Sequence, residues 1–147
     1  MAKKRPPAPK HKYYTPAEAN AMLPLVRRIV EDITTLAHDL RERHERLTRL
    51  GGSVAGKTTA AHREEVDRMQ LDVERDGERL QEYVVELEKL GVELKDYFMG
   101  LIDFRSRMDG KEVYLCWKLG EPYVAHWHEL NSGFAGRQQL VQDTSNV

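Results

Sequence analysis

One cysteine and two histidines near the end of the chain carry the residue types from which a metal site is made. His126 and His128 are two apart in a stretch that alternates as a strand, so both imidazoles leave one face of a sheet. Upstream, Val113, Leu115 and Trp117 alternate with Tyr114, Cys116 and Lys118 as a second half-buried strand. Gly120 and Pro122 turn the chain between the two. The register that brings both apolar faces together buries the most apolar area, and it sets Cys116 across from His126. A thiolate and two imidazoles, with Glu129, Asp103 or water as a fourth ligand, suit zinc or another borderline metal. The same residues also read as polar groups on a covered sheet face, with Cys116 a small buried hydrophobe.

Two further patterns point at anions. Gly133, Phe134, Gly136 and Arg137 form a glycine-flanked loop in which backbone amides and a guanidinium can receive a carboxylate or phosphate. The competing reading is a tight turn whose arginine pairs with Asp103 or Glu121. Gly51, Gly56, Lys57 and Thr58 satisfy the phosphate-loop pattern GxxxxGK[ST], but that loop works only between a buried parallel strand and a helix. Here a long amphipathic helix precedes it, so the match is read as coincidence and no nucleotide is expected.

Two helices and a small sheet must position these groups. Thr15-Pro16-Ala17-Glu18 is a helix start with a capping box, and Pro24 predicts a kink or a restart near Met22 and Leu23. Val26, Ile29, Ile33, Leu36, Leu40, Leu47 and Leu50 then fall on the two seam positions of a seven-residue repeat, broken by Arg43. Val66, Val73, Leu80, Leu87 and Leu94, with Met69, Tyr83 and Leu90, repeat the pattern in a second helix, broken by Asp76. The glycine-rich link between them favours antiparallel neighbours, with arms on the order of 45 Å long. Arg43 and Asp76 then reach the same level, to pair or to face solvent. Leu101 to Phe104 reads as a third strand, followed by the turn pair Asp109-Gly110.

The expected architecture is α+β: a long antiparallel helical hairpin over 13–98, a small antiparallel sheet of about three strands with the Gly-Arg loop over 99–140, and a tail over 141–147. Residues 1–12 read as a disordered basic arm, since Lys3, Lys4, Arg5, Lys10 and Lys12 all precede the first acid, Glu18. With 23 basic residues against 24 acidic ones, the rest of the 147-residue chain is net acidic, which argues against nucleic-acid binding. No apolar run approaches a membrane span. The single cysteine permits no internal disulfide and fits a reducing cytoplasm. Apolar residues off the seam, Val30, Ala37, Val84 and Val85, suggest a second copy and a homodimer.

The segments YYTPAEANAMLP (Tyr13 to Pro24), LGVELKDYFMGLIDF (Leu90 to Phe104), VYLCWKLGE and WHELNSGFAGR resemble a bacterial family of uncharacterised cytosolic proteins, domain-of-unknown-function family 2203. The resemblance covers nearly the whole chain. It carries over Trp127-His128 and the loop Gly133 to Arg137, while the family pattern at position 126 is often aromatic, which favours His128 over His126. It implies no activity. The residues favour a cytoplasmic interaction or scaffold module built on the hairpin. The rival is a small metal-binding or enzymatic module on Cys116, His126, His128 and Glu129. A third reading is an RNA- or ribosome-associated factor acting through the basic arm.

Overall fold

In a computed structural model, which describes residues 12–52 and 59–141, two helices pack on a five-stranded antiparallel sheet. Helix α1 spans Pro16–Gly52 and α2 spans Ala60–Lys89; the strands are β1 (Val92–Asp96), β2 (Leu101–Met108), β3 (Lys111–Lys118), β4 (His126–Glu129) and β5 (Gln138–Gln139). The strands lie in chain order, each paired antiparallel with the next. The basic arm through residue 11, positions 53–58 of the phosphate-loop match and residues 142–147 lie outside the described residues. Among the described residues no helix is long and apolar enough to cross a membrane.

The start of α1 is the reciprocal box its residues predict: the Thr15 amide donates to Glu18 Oε1 at 3.0 Å and the Glu18 amide donates to Thr15 Oγ1 at 3.1 Å. Of the kink or restart expected at Pro24, the restart does not occur, for α1 is a single helix with Pro24 inside it. Its first turns are pinned from outside. The Asn20 side-chain amide donates to the Val124 carbonyl at 3.2 Å while its oxygen accepts the Val124 amide at 2.7 Å. Tyr14, buried against Phe104, donates its hydroxyl to the Leu90 carbonyl and its amide to the Arg105 carbonyl.

The second helix ends earlier than the seven-residue spacing suggests. Leu94 lies in β1, not in α2, because Gly91 adopts φ 81° just past the Leu90 cap and ends the helix in the way glycine permits. Val92-Glu93-Leu94-Lys95 then alternates as a strand, until the register shifts before Asp96. With β5 as well, the sheet has five strands where about three were expected; β5 is two residues long and leaves no periodic trace.

The two helices run antiparallel, with Leu40 near Leu80 at one level and Leu47 near Val66 and Val73 further out. Arg43 pairs with Asp76 at 2.5 Å and with Asp39 at 3.0 Å, so the two seam interruptions meet. The core sits at the base, where Val26, Val30, Ile33 and Leu87 meet Ile102, Phe104, Leu115 and Trp117 on one face of the sheet. Val30, Ala37 and Val84, expected to face a second copy, are buried inside this chain; only Val85 is exposed. Beyond Leu40 the seam residues stay half-buried, since two helices alone cannot enclose a stripe.

Two glycines give opposite expectations. Gly100 is buried at φ 66°, and a Cβ there would lie 2.8 Å from both Leu119 Cβ and Val30 Cγ1. Gly100→Ala should cost about 2 to 4 kcal/mol through backbone strain and overpacking. Gly77, inside α2, has nothing within 4 Å of a Cβ, so Gly77→Ala should add about 0.5 to 1 kcal/mol. Urea melts of both variants check the pair, and equal midpoints would contradict it.

Candidate metal centre

Backbone pairing sets the site, because strand partners share a face. Glu93, Asp103, Cys116 and His126 align across β1 to β4, and Arg105, Tyr114 and His128 form the next row. This is the face turned away from the helices; its opposite carries Phe104, Leu115, Trp117 and Trp127. The expected register is therefore the observed one, with Cys116 across from His126.

Three ligand-type side chains converge on the polar face. One ligand atom from each of Asp103, Cys116 and His128 lies within 4.8 Å of the other two, and all three residues are buried. His128 Nδ1 lies 2.7 Å from the Glu129 carbonyl oxygen, which only accepts, so Nδ1 carries a proton. Nε2 then faces both Asp103 carboxylate oxygens, at 3.1 Å and 3.0 Å. At that spacing a proton or a cation must lie between nitrogen and carboxylate, since two bare acceptors repel.

Electrostatics agree. Burial raises the Asp103 carboxyl above its ordinary range, with the His128 charge and hydrogen bond pulling back only in part. The Cys116 thiol is pushed up to about 12 by burial and by the neighbouring Asp103 charge, against a smaller downward pull from Arg137. Without a cation, then, the Cys116 thiol holds its proton. The Tyr114 ring lies 5.4 Å from the His128 ring, and its hydroxyl donates to Glu93 at 3.2 Å.

The other candidate residues lie elsewhere. Glu129 points away from the cluster: it pairs across from Val113 on the opposite face, is exposed, and binds Lys111 at 2.7 Å. Its part in the site is played by its backbone carbonyl. His126 shares the correct face, but its imidazole is outside the three-residue group; Nδ1 is 3.9 Å from Glu121 and has no hydrogen-bond partner. Arg137 donates to both oxygens of Glu121, at 3.0 Å and 2.6 Å, so the Gly-Arg loop already holds an internal carboxylate. Gly133, at φ 65°, opens the short turn Phe134–Gly136, and the Phe134 ring packs beneath the Arg137 guanidinium at 4.4 Å. Burial raises the Glu121 carboxyl, but the hydrogen bonds from Arg137 and from the Lys118 amide outweigh it and leave it lowered.

Gly51 and Gly52 close α1, and the sheet is antiparallel throughout the described residues, so the phosphate-loop match lacks the strand it would need. Lys57 and Thr58 themselves lie outside the described residues. Asp103, expected only as one of three candidates for a fourth ligand, belongs to the cluster itself. Its signal was an acid inside the apolar run Leu101-Ile102-Asp103-Phe104.

Residues 12–140 match a family described as uncharacterized conserved protein (DUF2203). The chain belongs to the DUF2203 family. Every residue of the cluster, and the Glu121–Arg137 pair beside it, lies within the span of the DUF2203 match. No curated protein and no solved structure matches the chain.

Proposed function

We propose that this DUF2203 protein is a small metal-binding protein that holds a zinc-class divalent cation on Asp103, Cys116 and His128. The observation that carries the reading is the His128 ring: Nδ1 is committed to the Glu129 carbonyl, and Nε2 faces a carboxylate beside a thiol, where a cation can take the place of the shared proton. Fixing a ligand histidine through its second nitrogen is how protein metal sites orient the first. The mixed sulfur, nitrogen and oxygen set suits zinc better than magnesium or calcium. Three protein ligands leave a fourth position for water. A cation there would tie β2, β3 and β4 together, so binding and folding are coupled.

Uptake must displace the Cys116 proton and the proton shared by Asp103 and His128. About two protons should therefore leave per cation near neutral pH, and occupancy should fall as pH drops. Zinc at a hundredfold excess over its dissociation constant should raise the melting temperature by about 5 to 10 °C, and a chelator should reverse it. Melting curves with zinc and with chelator test this directly. Superimposable curves in the two conditions would contradict it.

A further inference from the structure

We propose that the outer half of the helical hairpin docks on a second copy of this chain, with α1 of one copy lying on α2 of the other. The surface is an apolar trough along one side of the seam. Leu40, Leu80 and Phe98 line its inner end and Leu47, Val66 and Val73 its outer end, and His44 borders both, so the trough is continuous. Every one of these residues except Phe98 and His44 is half-buried in the single chain, and those two are exposed. A third and a fourth helix would complete the enclosure that two cannot provide.

Charge selects a second copy as the occupant. The α1 bank of the trough carries Arg41 and His44; the α2 bank carries Gln70, Glu74 and Gln81. The same bias runs along the arm. Between residues 41 and 50, α1 has Arg41, Arg46 and Arg49, besides Arg43 that pairs within the chain, against Glu42 and Glu45. Between residues 60 and 80, α2 has Glu64, Glu65, Asp67, Asp72, Glu74 and Glu78, besides Asp76 that pairs within the chain, against Arg63, Arg68, Arg75 and Arg79. A twofold axis along the arm lays the basic helix of each copy on the acidic helix of the other, twice over. An axis across the arm would set basic on basic and acidic on acidic. A self-complementary face of this kind is what an isologous dimer requires.

The test is sedimentation of the full chain over a wide concentration range. The expected result is the mass of two chains, dissociating on dilution. Glu74→Arg, an exposed change outside the core, should raise the dissociation constant at least tenfold, and Val73→Glu should do the same or more. Circular dichroism of both variants establishes that the fold is intact, and if Val73→Glu fails to fold, Glu74→Arg alone decides. A one-chain mass at every concentration would overturn the proposal, and so would a dimer that the folded variants leave unchanged.

Discussion

Trp117→Ala should remove a large share of this protein's stability. The indole is fully buried where α1 crosses the sheet, among Ile102, Leu115 and the α1 residues of the core. Deleting it forfeits its transfer energy and leaves a cavity, together about 3 to 5 kcal/mol. Domains of this kind hold about 5 to 15 kcal/mol in all, so the variant should melt well below the parent. The loss also reaches the polar face. Trp117 Nε1 donates to the Glu121 carbonyl at 3.0 Å, which holds the turn from which Glu121 meets Arg137 and the Lys118 amide. Trp117→Phe keeps most of the ring and loses that bond, so it should cost less than half as much. Urea melts of the two variants check the order; a Trp117→Ala loss under 1 kcal/mol would mean that the core is elsewhere.

The second large effect is expected at Asp103. Asp103→Ala leaves His128 Nε2 buried with no partner, and breaking one side of a buried polar pair typically costs about 3 to 5 kcal/mol. Asp103→Asn keeps the shape and an oxygen, so it should be milder. Both belong in chelator, where no cation adds to the balance. The pH dependence has a definite sign. Asp103 is raised by burial in the fold, so its contribution is full below the unfolded value of about 3.9 and declines as pH rises toward the folded one. Glu121 runs the other way: it is lowered, so its contribution is present above the unfolded value of about 4.3 and is lost as pH falls through the folded one. Asp103→Asn should remove the first trend and leave the second. An Asp103→Ala variant as stable as the parent would show that the pair with His128 is not coupled to folding.

How much of this could be read from the residues varies by element. The register of β3 and β4 followed from matching apolar faces, because a slip by one would have turned Leu115 and Trp117 to the wrong side. The meeting of Arg43 and Asp76 followed from two interruptions at the same level of a hairpin. The first strand was missed because Leu87 and Leu94 are seven apart and looked like one helical stripe. The signal against it is Gly91 between them, followed by the alternation Val92-Glu93-Leu94-Lys95. Glu129 was a misassignment that strand parity could have prevented, for it is one residue from His128 and must face the other side. Asp103 was underweighted because its pairing with Cys116 depends on β2 joining β3, a contact that spacing within one strand does not reveal. The half-exposed outer seam was hidden for a similar reason, since a repeat records which residues face inward but not how many helices surround them.

The most direct test of the proposed metal centre is elemental analysis of the chain purified without an affinity tag, alongside three variants. The account predicts about one zinc-class ion per chain in the parent protein and in Glu129→Gln, whose carboxylate binds Lys111 on the other face. It predicts loss of the ion in His128→Ala and weakened retention in Cys116→Ser, with both variants shown to be folded. A parent protein that carries no stoichiometric metal after growth and dialysis in zinc, or one whose metal survives both ligand substitutions, would contradict the account.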